Sequence, residues 1–347
     1  VQPTTRHTNQ LQNRVQATVI DRRKGFSLIE ILVSILIIGS LLGILLVALN
    51  KTRLFVRSAS DVQIALSVKT GVEQFQQEFN FLPPLVRERN PNAPRAIEAD
   101  PGANGQLQIS VYSTRNPQDL AFLRTTLALD SVNPFIDARY SEYTVPYYLA
   151  GALSTPLTTG PDLPIDGIAG PGLYAPRADG TFVIPRDVAN AAAGGASGPG
   201  ALKRGAKKYE SFIPVGDRDL KLVTNTNTTQ RTDVKAVDGQ GNAVRYYRWE
   251  PAATALVPAD LNVPRMVARV PGLIAGDVVS ADRDLSVSAK ARDARFAIVI
   301  AGPNGLFGDE LIAEIIAKFG GGANPTADEE LKLRIRAERD NIVEIGR

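Results

Sequence analysis

The 347-residue chain contains no cysteine, so no disulfide can staple its fold even in an oxidising compartment. Stability must come from a packed core, a metal or neighbours in an assembly. Histidine occurs once, as His7. The formal net charge is only +3, and the pI near 9.0 reflects scattered Lys and Arg with no long basic block beyond residues 22–24. That balance argues against a dedicated nucleic-acid binder. Enzyme signatures are missing too: there is no P-loop, G-x-S-x-G, H-E-x-x-H or Cys/His cluster. Ser, Lys, Asp and Glu are plentiful, but no spacing arranges them as a catalytic set. No apolar run precedes Gly25, which excludes a conventional secretory signal ahead of it.

What is present is one long apolar stretch. Arg22, Arg23 and Lys24 lead into Gly25 and Phe26, and then into more than twenty mostly apolar residues ending near Leu49. At about 1.5 Å per residue such a run spans roughly 30 Å as a helix, enough to cross a bilayer. One acid, Glu30, interrupts it. A carboxylate beside a membrane core is costly and by default marks function. Gly39 and Gly43 form a G-x-x-x-G pair, read either as a site of close helix approach or as ordinary membrane-helix glycines. The positive-inside rule favours a cytoplasmic N-terminus, although Lys51, Arg53 and Arg57 at the other end weaken that argument.

The segment Lys24-Gly25-Phe26-Ser27-Leu28-Ile29-Glu30 resembles the processing site of type IV pilins and of the pseudopilins of type II secretion. The resemblance implies that prepilin peptidase cuts after Gly25 and that the new N-terminus, Phe26, is N-methylated. It implies that Glu30 guides assembly by pairing with a neighbour's N-terminus. The leader would be residues 1–25, carrying away His7 and with it any His-dependent chemistry. The transmembrane and assembly helix would be 26–49, its amphipathic continuation 50–82, and the globular head 83–347. Val47 stands where the family often has a proline.

From Ser58 to Phe79, apolar residues recur at Ala65, Val68, Val72, Phe75 and Phe79, the stripe of an amphipathic helix. Pro83-Pro84 stops it. One helix from about Ser27 to Phe79 would be roughly 80 Å long. Strand signals follow at Tyr209–Val215, Leu220–Val223, Ala243–Trp249 and Ala294–Ala301, with turn residues at Asp238-Gly239 and Gly241-Asn242. A short helix is expected over Pro117–Leu129 with Asn116 as its cap, and Tyr143, Tyr147, Tyr148 and Leu149 are expected against the head. Residues 86–110 and 155–205, rich in the chain's 29 glycines and 23 prolines, read as loops. The expected fold is α+β: a long helix packed on a small antiparallel sheet with long loops, the pilin-like lollipop. Arg245-Tyr246-Tyr247-Arg248-Trp249 has the composition of a stacking platform for nucleic acid, but the alternating faces of a strand explain it and the low net charge favours that reading.

The segment Phe296–Glu310, FAIVIAGPNGLFGDE, is similar to the C-terminal loop of major pseudopilins, which binds calcium. The ligands the resemblance implies are Asn304, Asp309 and Glu310, with Asp340 and Asn341 if the tail folds back. The alternative is a metal-free turn with polar capping. A helical insertion from Leu311 to about Arg339, with opposite charges at helical spacing, reads as a solvated face.

The implied function is a structural, non-enzymatic subunit of a type II secretion pseudopilus or type IV pilus-like filament. It would be anchored once in a bacterial inner membrane with its head in the periplasm. Its partners would be the peptidase, like or related subunits, an inner-membrane assembly platform and lipid, without nucleic acid. The alternative is a pilin-like binding module whose head recognises secreted substrate or DNA.

Overall fold

The computed structural model describes residues 27–88, 99–101, 107–124, 137–151, 166, 168, 170–183, 207–215, 220–224, 234–251, 262–268 and 293–347. Gly25, Phe26, the leader and most of the 86–110 and 155–205 segments lie outside these described residues.

Helix α1 runs without a break from Leu28 to Phe79. No proline falls inside it, so every interior residue can donate to the helical ladder, and Val47 sits in regular helix. Asn80 ends the helix in the left-handed region, φ 60°, with its N–H on the Gln76 carbonyl at 2.8 Å. Pro83 and Pro84 forbid any resumption. The chain divides into two units between Arg53 and Leu54.

The second unit takes the rest of α1 and all the elements after it. In chain order these begin with short strands β1 (Leu85–Val86), β2 (Ala99–Pro101), β3 (Leu107–Ile109) and β4 (Val111–Tyr112). Helix α2 (Pro117–Arg124), β5 (Tyr140–Ser141) and a π-helical turn (Val145–Ala150) come next. Then come β6 (Leu173–Tyr174), β7 (Lys208–Tyr209), β8 (Lys221–Thr224), β9 (Val234–Val237), β10 (Val244–Arg248) and α3 (Arg265–Ala268). The chain closes with β11 (Phe296–Ile300), α4 (Ile312–Phe319), α5 (Ala327–Glu338) and β12 (Ile342–Gly346). The main sheet has the order β12-β11-β10-β5, with every pairing antiparallel. A long helix on antiparallel strands is the α+β class expected.

The sheet is buried on both faces, which is why β11 reads as an unbroken apolar run. Val244, Tyr246, Phe296, Ile298 and Ile300 pack with Ile64, Ala65, Val68, Val72 and Phe75 of α1. The intervening Tyr247, Ala297, Val299 and Ala301 point into a second cluster with Trp249, Met266, Val267, Phe307 and Ile345. Phe75 anchors the first cluster, with the rings of Phe79, Phe81, Phe212 and Tyr148 at 4.6 to 6.4 Å in edge-on contact. The helix lies close to the 212–213 backbone because Gly71 has no side chain. A Cβ there would stand 2.6 Å from Ile213 Cγ2.

The local signals behaved unevenly. Asn116 Oδ1 accepts the Gln118 N–H at 3.0 Å and caps α2. The Asp238–Asn242 turn joins β9 to β10: Asp238 Oδ1 accepts the N–H groups of Gln240 and Asn242, both at 2.8 Å, and Gly241 takes φ 92°. Tyr143, Tyr147, Tyr148 and Leu149 are all buried, on the π-helical turn and just before it. The strand expected over Tyr209–Val215 is strand only at Lys208–Tyr209, since Ser211 Oγ bonds instead to the Leu149 and Ile213 carbonyls. The 311–339 insertion is two helices, because Gly320–Gly322 interrupts it and Thr326 with Glu329 closes a capping box on α5.

One buried acid makes a pH prediction. Asp166 is fully buried, and its Oδ1 accepts the Ile168 N–H at 3.0 Å. Burial pushes its carboxyl up to about 8. The folded state therefore holds this proton more tightly than the unfolded chain does. The resulting stability is fully present below about pH 4 and is lost as pH rises through about 8. Asp166→Asn should flatten that loss, which is on the order of a few kcal/mol, so that the thermal midpoint of the variant gains on wild type between pH 5 and pH 8.5. Parallel pH profiles for the two proteins would overturn this account.

Candidate functional site

Two places carry the residues singled out from the sequence, one in each unit. In the first unit, Ser27 and Glu30 form a capping box at the start of α1. Glu30 Oε2 accepts the Ser27 N–H at 2.8 Å and the Ser27 hydroxyl at 3.1 Å, and Ser27 Oγ accepts the Glu30 N–H at 3.3 Å. Two orphan donors of the helix terminus are thereby satisfied, and the carboxylate is held at the helix N-terminus, where the macrodipole favours it. Ser34 Oγ donates to the Glu30 carbonyl at 2.7 Å one turn on. The role of Ser27 was missed from the sequence, although S-x-x-E ahead of an apolar run is its signature.

Beyond Glu30 the helix surface is apolar all round and bare. Leu28 to Leu49 are exposed, and space around Gly39 and Gly43 is open. Among the described residues α1 is the one helix long and apolar enough to cross a membrane. Such a surface is stable only when lipid or another apolar helix covers it.

The second place is the loop after β11. Arg245, on β10, reaches Asp309 Oδ2 at 2.7 Å and lies 3.6 Å from Glu142 Oε1. Its guanidinium sits 3.5 Å from the centroid of Phe307 and 4.4 Å from that of Tyr140. Burial alone would lower the pKa of Arg245. The facing carboxylates of Asp309, Glu142 and Glu310 reverse this and hold it above its ordinary value. Glu310 accepts the Phe307 N–H at 2.6 Å and the Gly308 N–H at 2.8 Å, while burial and the Asp309 charge push its own pKa up. Asn304 donates to Asp340 and, at 2.7 Å, to the Ala337 carbonyl, and its Oδ1 accepts the Leu306 N–H at 2.6 Å. Asn341 donates to the Phe307 carbonyl at 2.9 Å. Arg334 of α5, buried against expectation for a solvated face, donates to the Gly308 and Glu310 carbonyls at 2.9 Å each.

The five residues implied as calcium ligands do come together, but not as a cage. A guanidinium takes Asp309, backbone N–H groups take Glu310, and an amide takes Asp340. A divalent ion would face a buried cation across the site. Among the described residues no group of three or more His, Cys, Asp or Glu is placed to hold a metal. The donor set does not fit calcium; the loop is a turn neutralised by Arg245. The pairing left no local signal, because Arg245 and Asp309 are 64 residues apart. Arg245→Ala removes the guanidinium that faces the buried Asp309, while Glu142 keeps its 2.6 Å pair with Lys235, and should cost about 3–5 kcal/mol of unfolding free energy, whereas a chelator should leave the thermal midpoint unchanged. Destabilisation by chelator would return the loop to calcium.

The Arg245–Trp249 run is buried throughout. Tyr246 donates to the Pro83 carbonyl at 3.2 Å, and Arg248 donates to the Leu82 and Pro83 carbonyls, both at 3.2 Å. These side chains fasten the exit of α1 to the sheet and offer no platform for stacking bases.

Residues 20–46 match the family model described as the prokaryotic N-terminal methylation motif. The chain carries a prepilin-type N-terminus. Its long helix on antiparallel strands is the pilin-like α+β arrangement. Pilin-like proteins are in general structural subunits without enzymatic activity, and the apolar helix of this chain is consistent with single-pass anchoring. No curated protein and no solved structure matches the chain.

Proposed function

We propose that this protein is a structural subunit of a type II secretion pseudopilus or a type IV pilus-like filament. Prepilin peptidase cuts it after Gly25, Phe26 is N-methylated, and the mature subunit waits in a bacterial inner membrane with its head in the periplasm. An assembly platform then draws it into a filament of like or related subunits. The observation that carries this reading is the methylation motif over 20–46 continuing into an apolar helix with no covering surface of its own.

The mechanism is electrostatic and local. The mature N-terminus is a cation two residues before the Leu28 helix start, and Glu30 already presents its carboxylate at that end. In a neighbour's apolar surroundings an unpaired ammonium is expensive, so pairing with Glu30 selects the register at which apolar surfaces overlap. Ser27 holds Glu30 until that pairing competes for it. Shearing cells that express the full chain with its peptidase and platform, then immunoblotting, tests the proposal. The protein is expected in the sheared fraction, and finding it only as membrane-bound monomer contradicts the filament role.

A further inference from the structure

The two edges of the main sheet differ. At one edge β5 has two residues, and at the other β12 has five, Ile342–Gly346. A long, regular edge is a template for another strand, and proteins usually blunt it with proline, a bulge or short length. β12 has none of these. It contains no proline and pairs with β11 residue for residue, from Phe296 opposite Gly346 to Ile300 opposite Ile342. Among the described residues no strand pairs with its outer side. Ile342 and Val343 are only partly buried, so the apolar layers on both faces of the sheet reach this edge.

A cleft of about 310 Å³ lies between β12 and the wet side of α1. Glu73, Gln76 and Gln77 line it from the helix, and Ile345, Gly346 and Arg347 from the strand. Its two cations are already engaged: Lys69 lies 3.7 Å from Glu344, and Arg347 lies 3.1 Å from Asp293. These pairs cancel. The half-buried Glu73 has no ion pair among the described residues, so the cleft keeps one uncompensated negative charge.

We propose that the outer edge of β12 and this cleft take up an extended segment of another protein, which adds to the sheet as a strand and sets a lysine or arginine against Glu73. Backbone pairing supplies affinity and is blind to sequence, whereas alternate side chains, pointing to opposite faces, supply the choice. On the face of Val343 and Ile345 the incoming residues meet an apolar layer. On the face of Ile342 and Glu344 they meet the polar cleft and its spare carboxylate. The favoured segment therefore alternates apolar with polar and carries a basic residue in the polar set. The site belongs to the head and does not depend on the filament reading.

Anisotropy of a fluorescein-labelled peptide, SVKVTVS, titrated with the full-length chain in detergent micelles tests this. Saturable binding is expected, and SVEVTVS should bind about fivefold more weakly because its acid faces Glu73. N-methylation of the peptide backbone at alternate residues separates strand addition from adhesion. Methyl groups along one edge of the peptide should abolish binding, and along the other edge should leave it. Glu73→Lys should reverse the preference in favour of SVEVTVS. Glu73→Gln should erase the preference while melting as wild type does, since the side chain lies on the wet side of α1. Absence of saturable binding, equal loss for both methylation patterns, or an unchanged preference in Glu73→Gln overturns the proposal. A chain that self-associates and takes up no peptide would assign the edge to a second copy, and that result overturns it as well.

Discussion

Glu30→Ala is expected to be cut and methylated normally and yet to be nearly absent from sheared filaments, with a loss of about a hundredfold or more. That loss comes from leaving one ammonium unpaired in an apolar contact, a penalty of about 3–5 kcal/mol per subunit. It is repeated at every addition. The capping box refines the expectation. Removing Glu30 also removes the acceptor for the Ser27 N–H and hydroxyl, so the first turn of α1 should fray by about 1 kcal/mol. Ser27→Ala separates the two effects. It weakens the cap but keeps the carboxylate, and it should assemble at near wild-type levels. Assembly of Glu30→Ala at wild-type levels would remove the electrostatic mechanism; equal loss in Ser27→Ala and Glu30→Ala would make the residue a helix cap and nothing more.

Gly25→Ala should leave the chain uncut and wholly outside any filament, a change from essentially complete processing to none. Part of the effect is steric: a peptidase whose site closes on a residue without a side chain leaves no room for a Cβ at the position before the cut. It is also electrostatic. Without cleavage there is no free amine at Phe26 for a neighbour's Glu30 to neutralise, and Arg22, Arg23 and Lys24 remain attached to the apolar segment. Moving three cations into an assembled apolar core costs far more than helix packing returns. A retarded band on a denaturing gel and an empty sheared fraction are the expected readouts. A processed Gly25→Ala product would place the cut elsewhere.

Much of this was legible in the sequence because the informative features are local. The helix end at Phe79 follows from Pro83-Pro84, the α2 cap from Asn116 before Pro117, and the β9–β10 turn from the Asp238–Asn242 residues. The membrane-length run and the methylation motif are likewise contiguous. What could not be read is what depends on residues far apart meeting. Arg245 looked like part of an aromatic–cationic surface, yet its partners Asp309, Glu142 and Phe307 turn it into the buried neutraliser of a loop that otherwise resembles a calcium site. Arg334 looked solvated by its charge pattern, but it is buried because two carbonyls of that loop need donors.

If the N-terminal segment is a processed assembly element, intact-mass spectrometry of the mature wild-type protein will show it. The account predicts a chain that begins at Phe26 and carries one N-methyl group. A mature chain that retains Arg22–Gly25, or one that begins at Phe26 unmethylated in cells whose other prepilins are methylated, would contradict it.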